Sequence, residues 1–250
     1  MGDLTGLATS FYGGISMARV VKLKEQSSRS TAKAPSIRGQ TPDIYRSVRD
    51  RICSLHYPPG TLLGESALAE EFDVSRTPIR QVLQRLEYEG LVETKNGVGT
   101  IVSGVEFREY RDTYNFRLRL SEMLGDFCSP GDAPQALERI ERLIPRAAEL
   151  SSGPKNYDEF WSILHELHFA INELIRNREL RQTHDRCYFQ ASRVWYNFVT
   201  DLWDEEVEYL NRELEECCRA LRAADMRALG LVQRNYISFG LARIARFITG

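Results

Sequence analysis

The sequence predicts a mainly α-helical protein in which three short helices and a β-hairpin precede an all-helical bundle. Two observations predict this fold class. Residues 41–104 carry three helical patterns followed by two short β-type runs. Residues 105–250 carry long amphipathic helical patterns, and the strand signal largely vanishes there. A chain of 250 residues, of which 42% are hydrophobic and 27% charged, is long enough for two modest domains.

The first 40 residues differ in composition from the rest of the chain. They hold six Lys or Arg residues against two Asp or Glu residues, and the stretch "KLKEQSSRSTAKAPSIRGQ" lacks periodic hydrophobic residues. This composition predicts a disordered basic arm over residues 1–40. The net charge of the whole chain is only −2, so no global charge points to nucleic acid or to a membrane.

The first predicted helix lies in "TPDIYRSVRDRICSLHY", where Thr41 opens the helix and Pro42 occupies its first position. The following "PPG" ends it. Its apolar stripe consists of Ile44, Tyr45, Val48, Ile52 and Leu55.

The second and third helices follow in quick succession. The second lies in "LGESALAEEFDV" and buries Leu68, Ala69 and Phe72. The third follows Thr77 as N-cap and Pro78 as its first residue, and Gly90 suits its left-handed C-cap. Its buried face consists of Ile79, Val82, Leu83 and Leu86.

A β-hairpin completes this unit. In "LVETKNGVGTIVSG", two β runs, Leu91–Thr94 and Thr100–Val102, are joined through Asn96 and Gly97. Three helices and a hairpin in about 64 residues predict a winged helix-turn-helix, whose second motif helix enters the DNA major groove. Residues 41–104 are therefore the expected DNA-binding domain.

The third helix opens on two arginines, Arg76 and Arg80, although the helix dipole disfavours cations at that end. A DNA ligand explains the placement, because arginine suits guanine and phosphate contacts. The hydroxyls of Ser75 and Thr77 suit phosphate or base contacts. The alternative is that Thr77 only caps the helix and the arginines only solubilise the surface.

The segment "PPGTLLGESALAEEFDVSRTPIRQVLQRLEYEGLV" and the glycine-containing wing closely resemble the DNA-binding domain of the GntR family of bacterial transcription regulators. The resemblance covers about a quarter of the chain. It implies DNA contacts from Arg76, Thr77 and Arg80, with Ser66 at the start of the preceding helix. It places Asn96 and Gly97 at the contact positions of the wing tip.

The remaining residues, 105–250, resemble the all-helical ligand-binding and dimerisation domain of the FadR branch, the FCD class, with six or seven helices. Members of that class often bind a divalent metal through one aspartate and three histidines. Here His168 matches the first histidine, but Leu164, Leu214 and Tyr236 occupy the other three positions. The resemblance therefore implies no metal cofactor. His168 is expected in the pocket or core, satisfied by a neighbour such as Tyr236.

Two further features concern the ligand pocket. Arg117 or Arg119, in "FRLRLSE", resembles an inward-facing arginine of the family that can clamp a carboxylate. The alternative is a surface arginine paired with Glu122 at i+3. The aromatic-rich segment "CYFQASRVWYNFVTDLW" either lines the ligand cavity or belongs to the core or a dimer interface.

Together these features predict a homodimeric transcription regulator that binds a pseudo-palindromic double-stranded DNA operator. Repression is the expected mode of regulation. A small-molecule effector, an organic acid or an acyl or aromatic metabolite, would modulate it. The alternative is a constitutive dimeric repressor with no effector. An enzyme is disfavoured, because residues 105–250 hold no nucleophile motif, phosphate loop or acid–base carboxylate pair.

The same features bear on where the protein works. No apolar run approaches the ~18 residues of a transmembrane span, and the N-terminal residues are too polar for a signal peptide. The five cysteines lack metal-finger spacing and read as thiols in a reducing compartment. A cytoplasmic, nucleoid-associated bacterial protein without membrane partners is expected.

Overall fold

The computed structural model describes residues 41–104 and 107–249, so the predicted basic arm at residues 1–40 lies outside the described residues. The first described part is a three-helix unit with a two-stranded antiparallel sheet, as predicted. Its elements are α1 (Thr41–Cys53), α2 (Glu65–Glu71), α3 (Arg76–Tyr88), β1 (Val92–Lys95) and β2 (Gly99–Val102).

Two helix boundaries differ from the prediction. Helix α1 ends at Cys53, and Leu55, expected on its apolar stripe, has a left-handed φ of 56° and is only half-buried. There the chain turns back, and the Tyr57 amide donates to the Arg51 carbonyl at 2.9 Å. Helix α3 begins two residues early, at Arg76, so Ser75 and not Thr77 is its N-cap. Pro78 is then the third helical residue, where the missing N–H is still one of the unpaired donors of the first turn.

Three of the four strand ends in the wing differ from the prediction by one residue. Strand β1 pairs with β2 in the register Val92↔Val102 to Lys95↔Gly99, and residues 96–98 form the loop. Gly97 and Gly99 have φ values of +77° and +117°, which residues with a Cβ rarely adopt. Leu91, expected in the first strand, is instead a fully buried residue just before it.

The buried residues predicted for the winged unit form one core. Side chains from α1, α2, α3 and the wing pack together, and Ile44, Val48, Ile52, Ile79, Leu86 and Leu91 are fully buried. Two residues from far along the chain, Tyr188 and Phe189, belong to the same cluster. The core of the winged unit is therefore completed by the helical part of the chain.

The second part contains eight α-helices over residues 107–249, more than the six or seven predicted. They are α4 (Phe107–Glu122), α5 (Leu124–Phe127), α6 (Ala133–Glu141), α7 (Leu143–Ser152), α8 (Tyr157–Asn172), α9 (Arg178–Tyr196), α10 (Trp203–Arg222) and α11 (Met226–Thr249), with a 3-10 turn at Pro130–Asp132. The count rises because α5 is a single turn and because Pro145 separates α6 from α7. Proline has no N–H to donate to the Glu141 carbonyl one turn earlier.

These helices enclose a separate apolar core contributed mainly by α6, α7, α8 and α10. Helix α11 packs closely against α4: a Cβ on Gly230 would lie 2.5 Å from the Ser121 carbonyl oxygen. Because that distance is far below a van der Waals contact, only glycine permits this crossing. Among the described residues, no helix is both long and apolar enough to cross a membrane.

Candidate nucleic-acid interface and interior cavity

Every side chain proposed from the sequence for DNA contact lies at the surface of the winged unit. Ser66 is in the first turn of α2, and Asn96 and Gly97 form the tip of the wing. The other four surround the start of α3. The exposed set is Ser66, Ser75, Arg76, Thr77, Arg80, Asn96 and Gly97.

The start of α3 is open to an anion. Ser75 is extended, with φ −71° and ψ 166°, and its side chain makes no capping hydrogen bond. The first-turn amides therefore lack a side-chain cap from this residue, and the helix dipole adds partial positive charge there. This end of α3 suits a phosphate or an electronegative base edge.

One carboxylate, Glu65 at the first position of α2, holds both arginines of α3. Arg80 donates to its two oxygens from Nε at 3.1 Å and Nη2 at 3.0 Å, and Arg76 donates from Nη2 at 2.8 Å. The hydrogen bonds from Arg80 and then Arg76 lower the pKa of Glu65 to about 2. Glu65 therefore stays ionised near neutral pH and fixes two long, exposed side chains in one orientation.

Sequence reasoning missed Glu65, although a signal was present. Two arginines one turn apart on an exposed helix face need a counter-ion, and the preceding helix opens with a glutamate beside Ser66. Only the helix-turn-helix geometry shows that the start of α2 faces the start of α3, because these residues are 11 and 15 positions apart.

Replacing Glu65 by alanine is expected to lower discrimination between specific and non-specific DNA. The two guanidinium groups would lose their common orientation, so base readout would weaken, while loss of a negative charge would favour any phosphate backbone. Titration of one specific and one scrambled duplex at fixed salt measures the ratio of the two affinities. A ratio equal to that of the wild type would contradict the positioning role of Glu65.

A cavity of about 100 Å³ lies between five helices of the second part, α4, α8, α9, α10 and α11. Its aromatic wall includes Tyr114, Phe160, Trp161, Tyr188, Trp195 and Tyr209. Besides tyrosines, its ionisable and amide side chains are Arg117, His168, His184, Glu206, Glu213, Gln233 and Arg243. The cavity therefore combines aromatic surface with a few polar groups, as small-molecule sites do.

The two arginines proposed for the pocket have different positions. Arg117 is half-buried and lines the cavity, where its guanidinium lies 5.3 Å from the ring centre of Tyr114 and 5.6 Å from that of Tyr188. Arg119 is exposed and pairs with Glu122 at 2.8 Å. The effector-binding prediction for Arg119 is therefore corrected: it forms the i+3 surface pair.

His168 and Tyr236 both line the cavity, but they are not hydrogen-bond partners as expected. His168 Nε2 lies 2.9 Å from Asp185 Oδ1, and its ring stacks on Tyr188 at 3.8 Å between centroids. Burial lowers the pKa of His168 well below its usual value. The neutral ring therefore donates from Nε2 to Asp185, the partner on the adjacent helix α9.

Two of the four positions that the family resemblance assigns to metal ligands hold leucines. Leu164 lines the cavity and Leu214 is fully buried in the apolar core. The Nε2 atom of His168 is engaged by Asp185. Within residues 41–104 and 107–249, no group of three or more His, Cys, Asp or Glu side chains could hold a metal ion.

Two carboxyl groups of the cavity wall have different partners. Glu206 accepts two hydrogen bonds from Arg243, at 2.5 and 2.8 Å, so the charges of these two buried groups neutralise each other. Glu213 accepts one hydrogen bond from Gln233 Nε2 at 2.8 Å. Burial raises the pKa of Glu213 to about 7, although Gln233 and the charges of Arg117 and Arg243 lower it in part.

Folding stability is expected to fall as the pH rises through 7 because of Glu213. Its pKa is 4.5 when unfolded and about 7 when folded, so the folded state binds the extra proton between these values. The contribution is complete below pH 4.5 and is lost as the pH rises past 7, by up to about 3 kcal/mol. Chemical denaturation of wild type and Glu213→Gln between pH 5 and 8 measures it.

The matched control for this measurement is Glu215→Gln, an exposed position on the same helix. The control should follow the wild-type pH dependence, whereas Glu213→Gln should show a shallower fall. Identical slopes for Glu213→Gln and wild type would show that Glu213 does not titrate in this range.

Helix α9 joins the cavity to the winged unit. Tyr188 lines the cavity and also packs in the winged core with Phe189, which is 2% exposed. The guanidinium of Arg49, on α1, lies 3.7 Å from the ring centre of Phe189. Two hydrogen bonds also connect α9 to the winged unit. Gln190 Nε2 donates to the Glu89 carbonyl at 2.8 Å, and Arg193 Nη1 donates to the Ser103 carbonyl at 3.1 Å.

The aromatic segment of α9 and the loop after it thus fills both roles that its sequence left open. Tyr188 and Trp195 line the cavity, while Phe189 belongs to the winged core and Trp203 to the helical core. Different faces of this segment contact the cavity and the core of the winged unit. The spacing of the aromatic residues alone therefore could not show which of them line the cavity and which are core residues.

Comparison with known proteins agrees with this geometry. The model of the family described as "Bacterial regulatory proteins, gntR family" matches residues 40–102. The Nta operon transcriptional regulator of Aminobacter aminovorans is 29% identical over 130 residues, 52% of this chain and 61% of that protein. The gluconate operon transcriptional repressor of Bacillus licheniformis is 29% identical over 113 residues, 45% of this chain and 46% of that protein.

These matches span less than two thirds of the length of either relative. Among solved structures, McbR/YncC of E. coli superposes with a TM-score of 0.64 at 16% identity, covering 82% of this chain and 97% of that chain. At that identity, the likeness concerns the fold. It extends through both the winged unit and the helical bundle.

Proposed function

Because residues 40–102 match the family of bacterial regulatory proteins called gntR, we propose that this chain is a DNA-binding transcription regulator. The observation that carries the proposal is the pair of exposed arginines at the open start of α3, both oriented by Glu65. Two guanidinium groups in this position can donate hydrogen bonds to guanine edges in the major groove. One relative is named as a repressor, and repression is the mode we propose.

The proposed regulator binds a pseudo-palindromic operator as a homodimer, one winged unit to each half-site. Exposed apolar side chains on the packed helices α4 and α11, and on the residue between α4 and α5, support a self-association surface. They are Phe116, Met123, Leu231 and Phe239, which are between 39% and 49% exposed. Sedimentation of the free protein tests this part, since a monomer at micromolar concentration would contradict it.

The second part of the proposal is that a small-molecule effector occupies the cavity of the helical domain, which we assign to the FCD class. Helix α9 supports this coupling, because Tyr188 contacts both the cavity and the winged core. A ligand that favours one position of α9 therefore shifts the placement of the winged unit and, with it, the affinity for DNA.

Selection of genomic DNA fragments bound by the protein tests whether it recognises a specific operator. Thermal unfolding with candidate ligands tests whether an effector binds. A ligand that occupies the cavity must raise the melting temperature and change the affinity for the selected DNA. A ligand that does neither does not act through this cavity. If every ligand in a broad panel of organic acids, acyl and aromatic metabolites and amino acids fails, the protein is instead a constitutive repressor.

We also propose that this cavity works without a divalent metal, since leucines stand at two of the family's ligand positions. Treatment with EDTA, or addition of Zn²⁺ or Ni²⁺ at tenfold molar excess, should leave the melting temperature and the DNA affinity unchanged. A bound structural metal would have raised the melting temperature by mass action, so a drop with EDTA would contradict this part.

A further inference from the structure

The cavity contains a positive charge without a counter-ion. Within the described residues Arg117 makes no ion pair, and its contacts are the faces of Tyr114 and Tyr188. By contrast, the other cavity arginine, Arg243, is bound to Glu206 through two hydrogen bonds. An unpaired guanidinium at the wall of a cavity is a ready partner for a ligand carboxylate.

The cavity also contains a carboxyl group without a cation. Oε1 of Glu213 accepts from Gln233, and within the described ranges neither oxygen forms an ion pair. Tyr209, one turn earlier on α10, and Tyr236 on α11 line the same cavity. A carboxylate accompanied by aromatic rings is suited to an ammonium group, which gains from both the charge and the ring faces.

Arg117 and Glu213 have opposite charges and line one cavity, yet they do not touch. Burial raises the pKa of Glu213, and the positive charge of Arg117 offsets part of that rise, after the hydrogen bond from Gln233. A buried charge that lacks a partner is costly. A ligand with a negative group at one end and a positive group at the other would satisfy both residues at once.

Two further donors in the cavity wall lack acceptors. Nη1 of Arg243 and Nε1 of Trp161 are buried and have no hydrogen-bond partner in the described structure, although these residues are only 7% and 5% exposed. Buried donors without partners are rare in folded proteins. Both belong to cavity-lining residues, so oxygen atoms of a ligand are the natural acceptors.

The size of the cavity limits the ligand. A cavity of about 100 Å³ has room for roughly seven to ten water molecules. The cavity therefore suits a small ligand of roughly ten non-hydrogen atoms, and the walls contributed by Phe160, Trp161 and Trp195 favour an apolar or aromatic side group.

We propose that the ligand of this cavity is a small zwitterion, an α-amino acid with an apolar or aromatic side chain. Its carboxylate contacts Arg117 and its ammonium group contacts Glu213. The inference rests on the proposed function, since it names the ligand class of the effector cavity. It excludes simple organic acids as the best ligands, because they leave Glu213 without a cation.

Two matched sets of probes test the inference on the full chain at pH 8, where the carboxyl group of Glu213 is ionised. One set is L-leucine, 4-methylpentanoate and 3-methylbutylamine; the other is L-phenylalanine, 3-phenylpropanoate and 2-phenylethylamine. Calorimetric titration of wild type, Arg117→Gln, Glu213→Gln and the exposed control Glu215→Gln measures each affinity. The unfolding temperature of each free variant confirms that it is folded.

In at least one set, the amino acid should bind at least about tenfold more tightly than the acid and the amine. Glu213→Gln should remove that advantage and leave the affinity of the acid unchanged, Arg117→Gln should weaken both acid and amino acid, and the control should match wild type. Equal binding of acid and amino acid, or no binding in either set, overturns the inference. DNA binding by the same preparations tests the proposed function separately.

Discussion

Replacing Arg76 or Arg80 by alanine is expected to weaken binding to a specific operator by about 1–3 kcal/mol for each residue. Both guanidinium groups lie at the open start of α3, and both are exposed and held by Glu65. Loss of either one removes a guanidinium group that can form two hydrogen bonds to a base. A loss of 1–3 kcal/mol corresponds to about a 5- to 150-fold decrease in affinity. Fluorescence anisotropy with a labelled operator duplex measures the change.

The effect should depend on the DNA sequence. Each alanine variant should lose discrimination at its own base pair, whereas a change in a phosphate contact would lower affinity for all sequences alike. Arg142→Ala is the matched control, because Arg142 is an exposed arginine just after α6 whose one ion pair among the described residues is with Glu138. If Arg76→Ala and Arg80→Ala bind the operator as tightly as the control, α3 is not the recognition helix.

Replacing Phe189 by alanine is expected to destabilise the winged unit by about 3–5 kcal/mol. Phe189 is 2% exposed in the winged core although it belongs to α9. The substitution leaves a cavity and removes the ring that lies 3.7 Å from the guanidinium of Arg49. We expect faster hydrogen exchange at the amides of α1 and α3, because those helices form the rest of that core.

Phe160→Ala is the control for this substitution, since Phe160 is also fully buried but belongs to the core of the helical domain. It should destabilise the helical domain and leave the exchange of α1 and α3 amides close to that of wild type. If Phe189→Ala costs less than about 1 kcal/mol, or if both variants loosen α1 and α3 equally, α9 is not the specific support of the winged unit.

The order of the winged elements and their buried faces followed directly from the sequence. The apolar positions of α2 and α3 recur at helical spacing, and all of the residues named for their cores are buried. The ends of the elements were less predictable. Leu55 continues the spacing of α1 but adopts a left-handed turn, because hydrogen bonds after Cys53 and not apolar spacing end the helix.

Contacts between distant parts of the chain were not predictable from periodicity. Glu65 reaches two arginines across the turn between α2 and α3, and His168 is bound by Asp185, not by Tyr236. The insertion of Phe189 beside Cys53 joins residues 136 positions apart. The break between α6 and α7, by contrast, could have been predicted from the sequence, because Pro145 cannot donate a backbone hydrogen bond to the preceding turn.

We propose that this chain reads DNA through the start of α3. The most direct test is selection of bound fragments from bacterial genomic DNA by wild type and by the Arg76→Ala, Arg80→Ala double variant, in parallel and at the same salt concentration. We expect wild type to enrich fragments with a shared short palindrome and the double variant not to enrich it. Enrichment of the same palindrome by both proteins, or no shared motif with wild type, would contradict the claim.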